Sequence, residues 1–119
     1  MERLGQPCRM VQPAELPDLE LGHLRALTDD TGVLQHATFG VPCYGDGYCL
    51  DDNARALLVT VSAGPGRERE LLSSLELRYL AFVRHAWNPK HARFRNFMSY
   101  SRRWREPYGS EDSHGRALW

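Results

Sequence analysis

The sequence contains two pairs of adjacent carboxylates, each followed within a few residues by the letters Arg-Ala-Leu. The first pair, Asp51 and Asp52, lies in GYCLDDNARALL, and the second, Glu111 and Asp112, lies in GSEDSHGRALW. Two carboxyl groups are the usual machinery for protonating and displacing a glycosidic oxygen. We therefore predict that one member of each pair is catalytic, one as the general acid and the other as the base or nucleophile.

Each acidic pair is also typical of the start of a helix. A carboxylate in that position accepts hydrogen bonds from free backbone N–H groups and stabilises the helix by about 0.5–2 kcal/mol. One carboxylate is enough for this, and adjacent side chains point in different directions. Two alternatives follow: both pairs only cap, or one carboxylate caps while its neighbour faces a cleft. Arg55 and Arg116 are predicted to pair with these carboxylates.

Polar and aromatic residues near the two motifs are candidates for contacting a substrate. The His36 imidazole could bond a sugar hydroxyl, or it could fix its own loop through a backbone hydrogen bond. Among the aromatic residues, Tyr48 is the preferred stacking platform, whereas Trp87 at a helix end is more typical of a core. The predicted substrate-binding residues are Gln35, His36, Tyr48, Asn53, Arg55, His114 and Arg116.

Apolar residues recur at helical spacing in three stretches. The first runs from Ala14 to about Leu27, with Pro17 restricting its start. The second has the stripe Ala54, Leu57, Leu58 and Val61 and ends at GPG. The third has the stripe Leu72, Leu75, Tyr79, Phe82, Val83 and Ala86 and ends before Pro89. A short turn between the last two predicts an antiparallel helical hairpin.

The remaining segments are predicted to be loops with short extended pieces. VLQHATFGVPCY contains Gly40 and Pro42, which prevent a long regular element. RFRNFMSYSRRW fits either a helical face or one face of a strand, and we favour the extended interpretation. We predict one partial domain over residues 1–119. Its parts are a leading helix at 1–28, a site-forming loop at 29–50, a helical hairpin at 51–88, an extended return at 89–110 and the start of another helix at 111–119.

The two acidic motifs are separated by one helical hairpin, which gives the sequence an internal repeat. Repeated hairpins stack to bury a shared core, so more than two copies are usually required. The predicted fold is mainly α, with antiparallel hairpins that form part of an (α/α)6 toroid. We expect this chain to be a fragment of that larger toroid and to be inactive in isolation.

Bulk properties exclude several classes of protein. Lys plus Arg and Asp plus Glu each number 15, so no net charge attracts nucleic acid or an anionic membrane. No apolar run approaches the length of a membrane span or a signal peptide, and we expect a cytoplasmic location. The three cysteines are too few and too loosely spaced for a disulfide framework or a zinc knuckle. No metal and no cofactor are predicted.

Four quoted stretches, DDTGVLQHATFGVP, GYCLDDNARALL, RFRNFMSYSRRW and GSEDSHGRALW, resemble a bacterial domain of the six-hairpin glycosidase-like type. That domain is commonly found in proteins described as glycosyltransferases. The resemblance covers residues 28–119 and implies an oligosaccharide or polysaccharide partner, and an attached or neighbouring glycosyltransferase domain. The matching positions are Asp30, Gln35, His36, Tyr48, Asp51, Asp52, Asn53, Arg55, Asn96, Glu111, Asp112, His114 and Arg116.

The leading hypothesis is a carbohydrate-active domain that acts on or binds an oligosaccharide, either as a hydrolase or in association with a glycosyltransferase. One alternative is a non-catalytic glycan-binding or scaffold module. A second is an RNA-binding helical domain, because arginines alternate with aromatic residues in the stretch from Arg93 to Arg105. The balanced charge argues against this second alternative.

Overall fold

The computed structural model describes residues 20–63, 66 and 69–119, of which about half are helical. The α-helices within these residues are α1 (Gly22–Leu27), α2 (Leu50–Ser62), α3 (Arg69–Ala86) and α4 (Glu111–Leu118). The fold is thus mainly α, as predicted. α1 corresponds to the last part of the predicted leading helix, and the part of that prediction before residue 20 lies outside the described residues.

In the described part of the chain, six short strands pair into three antiparallel ribbons. The strands are β1 (Ala37–Thr38), β2 (Val41–Pro42), β3 (Tyr48–Cys49), β4 (Trp87–Asn88), β5 (Arg93–Phe94) and β6 (Phe97–Met98). β1 pairs with β2, β3 with β6 and β4 with β5. The prediction of short extended pieces in both loop segments is therefore confirmed.

Helices α2 and α3 pack against each other as a hairpin. The adjacent residues Arg95 and Asn96 connect the end of α3 to the start of α2. Arg95 N donates a hydrogen bond to Ala86 O at the end of α3, and Asn96 O accepts one from Leu50 N at the start of α2, both at 2.8 Å. The start of α2 and the end of α3 consequently lie at the same end, and the hairpin is antiparallel. α4 also packs on α2.

The core is formed mainly by α3 and by the strands around the start of α2. Its members are Leu27, Val33, Leu34, Tyr48, Leu50, Ala56, Leu75, Tyr79, Phe82, Ala86, Phe94 and Met98. The apolar stripe predicted for α3 is confirmed. The stripe predicted for α2 is wrong in part, because Leu58 and Val61 are exposed while the polar residues Asn53 and Thr60 are fully buried.

The loop before α2 is fixed to β6 by a close approach of two backbones. Gly47 has a φ of 68°, and a Cβ at this position would lie 2.2 Å from the carbonyl oxygen of Met98. Only glycine is compatible with both conditions. The loop that leads into the first acidic motif is thereby held against the return segment after β5.

Candidate functional site

The first acidic pair lies in the first turn of α2 but does not cap it. The N-cap is Cys49, whose Sγ accepts a hydrogen bond from Asp52 N at 3.5 Å. The prediction that Asp51 or Asp52 caps this helix is therefore wrong. The reason is that the cap position lies two residues earlier than Asp51, where a sulfur atom takes the place of the usual oxygen.

The second acidic pair shows the same arrangement at the start of α4. Ser110 is the N-cap and its Oγ accepts a hydrogen bond from Ser113 N at 3.2 Å. Glu111 and Asp112 follow in the first turn, both exposed to solvent. In both helices the carboxylates complement the dipole, and neither pair is engaged in capping.

The two motifs meet through Arg116. Its Nε lies 2.9 Å from Asp51 Oδ1 and 3.5 Å from Asp112 Oδ2, while Arg55 Nε lies 3.2 Å from the same Asp51 oxygen. We refer to Asp51, Arg55, Asp112 and Arg116 as the carboxylate–arginine cluster. The predicted pairing of both arginines with acidic neighbours is present in this geometry, and the two helix starts lie side by side.

Within this cluster, Asp51 is the most enclosed carboxylate. Its side chain is 25% exposed, and the Oδ1 atom is shielded from solvent without a well-directed hydrogen bond, despite two guanidinium nitrogens nearby. The N–H of Arg116 Nε is directed at Asp112 instead. The interaction of Asp51 Oδ1 with the two guanidinium groups is therefore electrostatic, and this oxygen accepts no hydrogen bond from the described residues.

Asp52 is tied to the helix cap rather than to the arginines. Its Oδ2 accepts the thiol proton of Cys49, with a sulfur–oxygen distance of 3.0 Å. Burial, together with the neighbouring Asp52 carboxylate, raises the pKa of the Cys49 thiol to about 12. The thiol therefore remains protonated at neutral pH and continues to donate to Asp52.

Gln35 and His36 organise the loop before the first motif. Gln35 Nε2 donates to Asp46 O at 2.6 Å, and His36 Nδ1 lies 3.2 Å from Asp46 Oδ2 on the surface. The backbone of His36 also accepts a hydrogen bond from Cys43 N. Both side chains consequently contact one carboxylate-bearing turn, the 3-10 helix Tyr44–Asp46.

Tyr48 and Asn53 are fully buried. The Tyr48 hydroxyl donates to Asp29 Oδ2, and burial is the main cause that raises its pKa. Asn53 Oδ1 accepts from Val33 N at 3.0 Å, and its Nδ2 donates to Cys49 O at 2.9 Å. Neither side chain reaches solvent, so the structure places both as supports of the site rather than as groups that contact a ligand.

The exposed aromatic surface near this loop is formed by a different tyrosine pair. The rings of Tyr44 and Tyr100 stack with centroids 4.6 Å apart, and Tyr100 lies nearly parallel to Tyr48 beneath it. Tyr44 and Tyr100 are 55% and 44% exposed. The sequence analysis prefers Tyr48 as the stacking ring, but the exposed rings are those of Tyr44 and Tyr100, and the sequence does not reveal which tyrosine lies at the surface.

The remaining motif residues contact the backbone or a distant loop. His114 Nδ1 accepts a hydrogen bond from Phe94 N at 3.3 Å, so a neutral ring carries its proton on Nε2. Asn96 Oδ1 accepts from Leu50 N at 3.1 Å. Asp30 pairs with Arg102 at 2.6 Å on the surface, and this hydrogen bond lowers the pKa of Asp30.

Comparisons with family models, with curated proteins and with solved structures gave no match to this chain. Within residues 20–63, 66 and 69–119, no group of three or more His, Cys, Asp or Glu side chains could hold a metal ion. None of the helices among these residues is long and apolar enough to cross a membrane.

Proposed function

We propose that this chain is a carbohydrate-active domain that binds an oligosaccharide at the starts of α2 and α4. The observation that carries the proposal is the contact of Arg116 with Asp51, because it joins two acidic motifs whose helices are capped by other residues. A carboxylate needed only for capping has no reason to meet a second motif. Carboxylates offer hydrogen-bond acceptors and guanidinium groups offer donors, so their convergence at one surface provides both kinds of partner for the hydroxyl groups of a sugar.

The same geometry suggests a separate role for each of the acidic residues in the two motifs. Asp51 is the proposed base or nucleophile, because it is the carboxylate at which the two motifs meet. In this proposal the general acid is Glu111 or Asp112, which are open to solvent at the start of α4. Asp52 positions the cap through Cys49.

The proposed larger architecture is the six-hairpin toroid that the sequence resembles. It is supported by the antiparallel α2–α3 hairpin and by the packing of α4 on α2, where the toroid would have the first helix of the next hairpin. It is also supported by apolar side chains on the outer surface of α3, Leu77 and Leu80, which are 68% and 52% exposed. A neighbouring hairpin would cover such residues.

A non-catalytic glycan-binding module is the second candidate function. The observation in its favour is that Asp51 and Asp52 are both engaged, one with arginines and the other with a thiol. A base must be free to accept a proton from the reacting group. If this engagement persists with a sugar bound, the cluster recognises hydroxyl groups without reacting with them.

Binding to an array of neutral oligosaccharides, followed by calorimetry with the best array ligand, tests the proposal. We expect Asp51→Asn and Asp112→Asn to weaken binding, while Glu70→Gln, an exposed carboxylate at the start of α3, leaves it unchanged. An array without any bound glycan, or equal affinity for all three variants, would contradict the proposed site. Cleavage of the array ligand by the wild type would separate catalysis from binding alone.

A further inference from the structure

A cleft of about 430 Å³ lies beside the last turn of α3, and no residue of the carboxylate–arginine cluster lines it. It is formed where the end of this helix meets β4 and the residue after β5. Its lining residues are Ala81, Arg84, His85, Trp87 and Arg95. The volume falls within the range of small-molecule sites, and the cleft opens widely to solvent.

Among the residues that the structure describes, the lining of this cleft is basic and includes no carboxylate. Within the described ranges, Arg84 has no ion-pair partner among the acidic side chains. The C-terminal end of α3 contributes about half a negative charge, which the two guanidinium groups outweigh. The cleft therefore attracts anions.

Arg95 is held in place without a carboxylate. Its Nη1 donates to Trp87 O at 3.4 Å, and its Cζ lies 5.7 Å from the centre of the Trp104 ring. A guanidinium group carries five N–H donors in a fixed plane, so most of them stay available to a ligand. Because the side chain is already fixed, it loses less conformational entropy when an anion binds.

Trp87 adds a flat apolar surface to this basic lining. Its ring packs edge-on against Phe94, with centroids 5.1 Å apart, and the residue is 39% exposed. Such contact fixes the indole and leaves part of it open to solvent at the cleft. An aromatic surface beside arginines recognises a ring that carries an anionic group.

We propose that this cleft binds a small phosphate ester, with the phosphate on Arg84 and Arg95 and the attached planar ring against Trp87. The two arginines supply charge-assisted hydrogen bonds, which phosphate oxygens accept in parallel pairs. His85 lines the same cleft, and its ring N–H is a further donor. This inference is independent of the proposed carbohydrate site.

Calorimetric titrations of the full chain with adenosine 5′-monophosphate, inorganic phosphate and adenosine test the inference. We expect the nucleotide to bind saturably and about tenfold or more tightly than phosphate, since only the nucleotide uses both the arginines and the ring. Adenosine, which lacks the anion, should bind most weakly. Raising the salt concentration should weaken binding of the nucleotide.

Three variants separate the two parts of the site. Arg84→Gln and Arg95→Gln should each weaken nucleotide and phosphate binding about tenfold, because one charged donor group is lost. Trp87→Leu should weaken only the nucleotide. Arg103→Gln removes the same charge from an exposed position outside the cleft and serves as the matched control. Thermal unfolding of each variant checks that the fold is retained.

The inference is overturned if the nucleotide does not bind saturably, or if Arg103→Gln weakens binding as much as the cleft variants. It is also overturned if oligonucleotides bind with an affinity that rises steadily with length, because a surface track for nucleic acid would then explain the charge. Loss of nucleotide binding in Trp87→Leu with retained phosphate binding supports both parts of the site.

Discussion

The Nε atom of Arg116 lies 2.9 Å from Oδ1 of Asp51, so the second acidic motif contacts a carboxylate of the first. Asp51 belongs to α2 and Arg116 to α4, and these two helices are separated in sequence by α3 and the strands that follow it. Their contact means that the starts of α2 and α4 form one surface. It also places an arginine between two carboxylates, because Asp112 lies 3.5 Å from the same nitrogen.

We expect the Asp51–Arg116 contact to appear as a modest coupling energy in a double-mutant cycle. Asp51→Asn, Arg116→Gln and the double variant should give a coupling of about 0.5–1 kcal/mol, because the arginine is partly exposed and solvent screens the pair. Urea unfolding measures it, and high salt should reduce it. Strictly additive effects of the two substitutions would show that the contact does not form in solution.

Asn53 is expected to act on stability. Asn53→Ala should lower the free energy of unfolding by about 2–3 kcal/mol, because Val33 N and Cys49 O lose their partners inside the protein. Val59→Ala, on the exposed side of the same helix, is the control and should change stability by about 0.5 kcal/mol or less. If Asn53→Ala weakens glycan binding and leaves stability unchanged, Asn53 contacts the ligand after all.

The two halves of the helical hairpin differ in how well the sequence predicts their packing. In α3 the buried residues are apolar and recur at helical spacing, so Leu72, Leu75 and Phe82 could be identified directly. In α2 the buried side includes Asn53 and Thr60, whose polar groups bond to backbone atoms. A pattern that counts only apolar residues assigns such a helix the wrong face.

The caps and the aromatic surface show a second limit. Cys49 is not among the residues that usually cap helices, and its role depends on the local path of β3 into α2. The stacking of Tyr44 on Tyr100 joins two loops that are distant in sequence. The proximity of the acidic motifs, by contrast, agrees with the internal repeat, because equivalent helix starts in stacked hairpins are neighbours.

Cys49 is expected to resist alkylation. Because the pKa of its thiol is raised to about 12, almost none of it is thiolate at about pH 8, and the thiolate is the nucleophile. Cys43, which is partly exposed, provides an internal comparison. Mass spectrometry after iodoacetamide treatment should show Cys49 modified at least ~100-fold more slowly than Cys43. Equal rates would mean that the cap opens readily.

The outer face of α3 is expected to bind a hydrophobic dye. Leu77 and Leu80 lie exposed on this helix, and such residues bind apolar molecules when nothing covers them. Leu77→Glu should reduce dye fluorescence and self-association, with a change in stability of about 0.5 kcal/mol or less. Arg78→Glu, the next residue along, is the control for the added carboxylate. Dye binding that is the same in all three proteins would place the apolar surface elsewhere.

The last prediction separates the tyrosine that is available to a sugar from the one that is buried. Tyr44→Ala should weaken binding of the array ligand about tenfold, because an exposed ring that could stack on a sugar face is lost. Its effect on stability should be about 1 kcal/mol or less, since only the stack with Tyr100 is removed.

Tyr48→Phe should have the opposite effects. It keeps the buried ring but removes the hydroxyl that donates to Asp29, so the free energy of unfolding should fall by about 1–2 kcal/mol while glycan affinity stays unchanged. Calorimetry and urea unfolding on the two variants give the four values required. If Tyr48→Phe weakens binding and Tyr44→Ala does not, the ligand lies against the interior side of the loop, and the exposed tyrosine stack has no part in recognition.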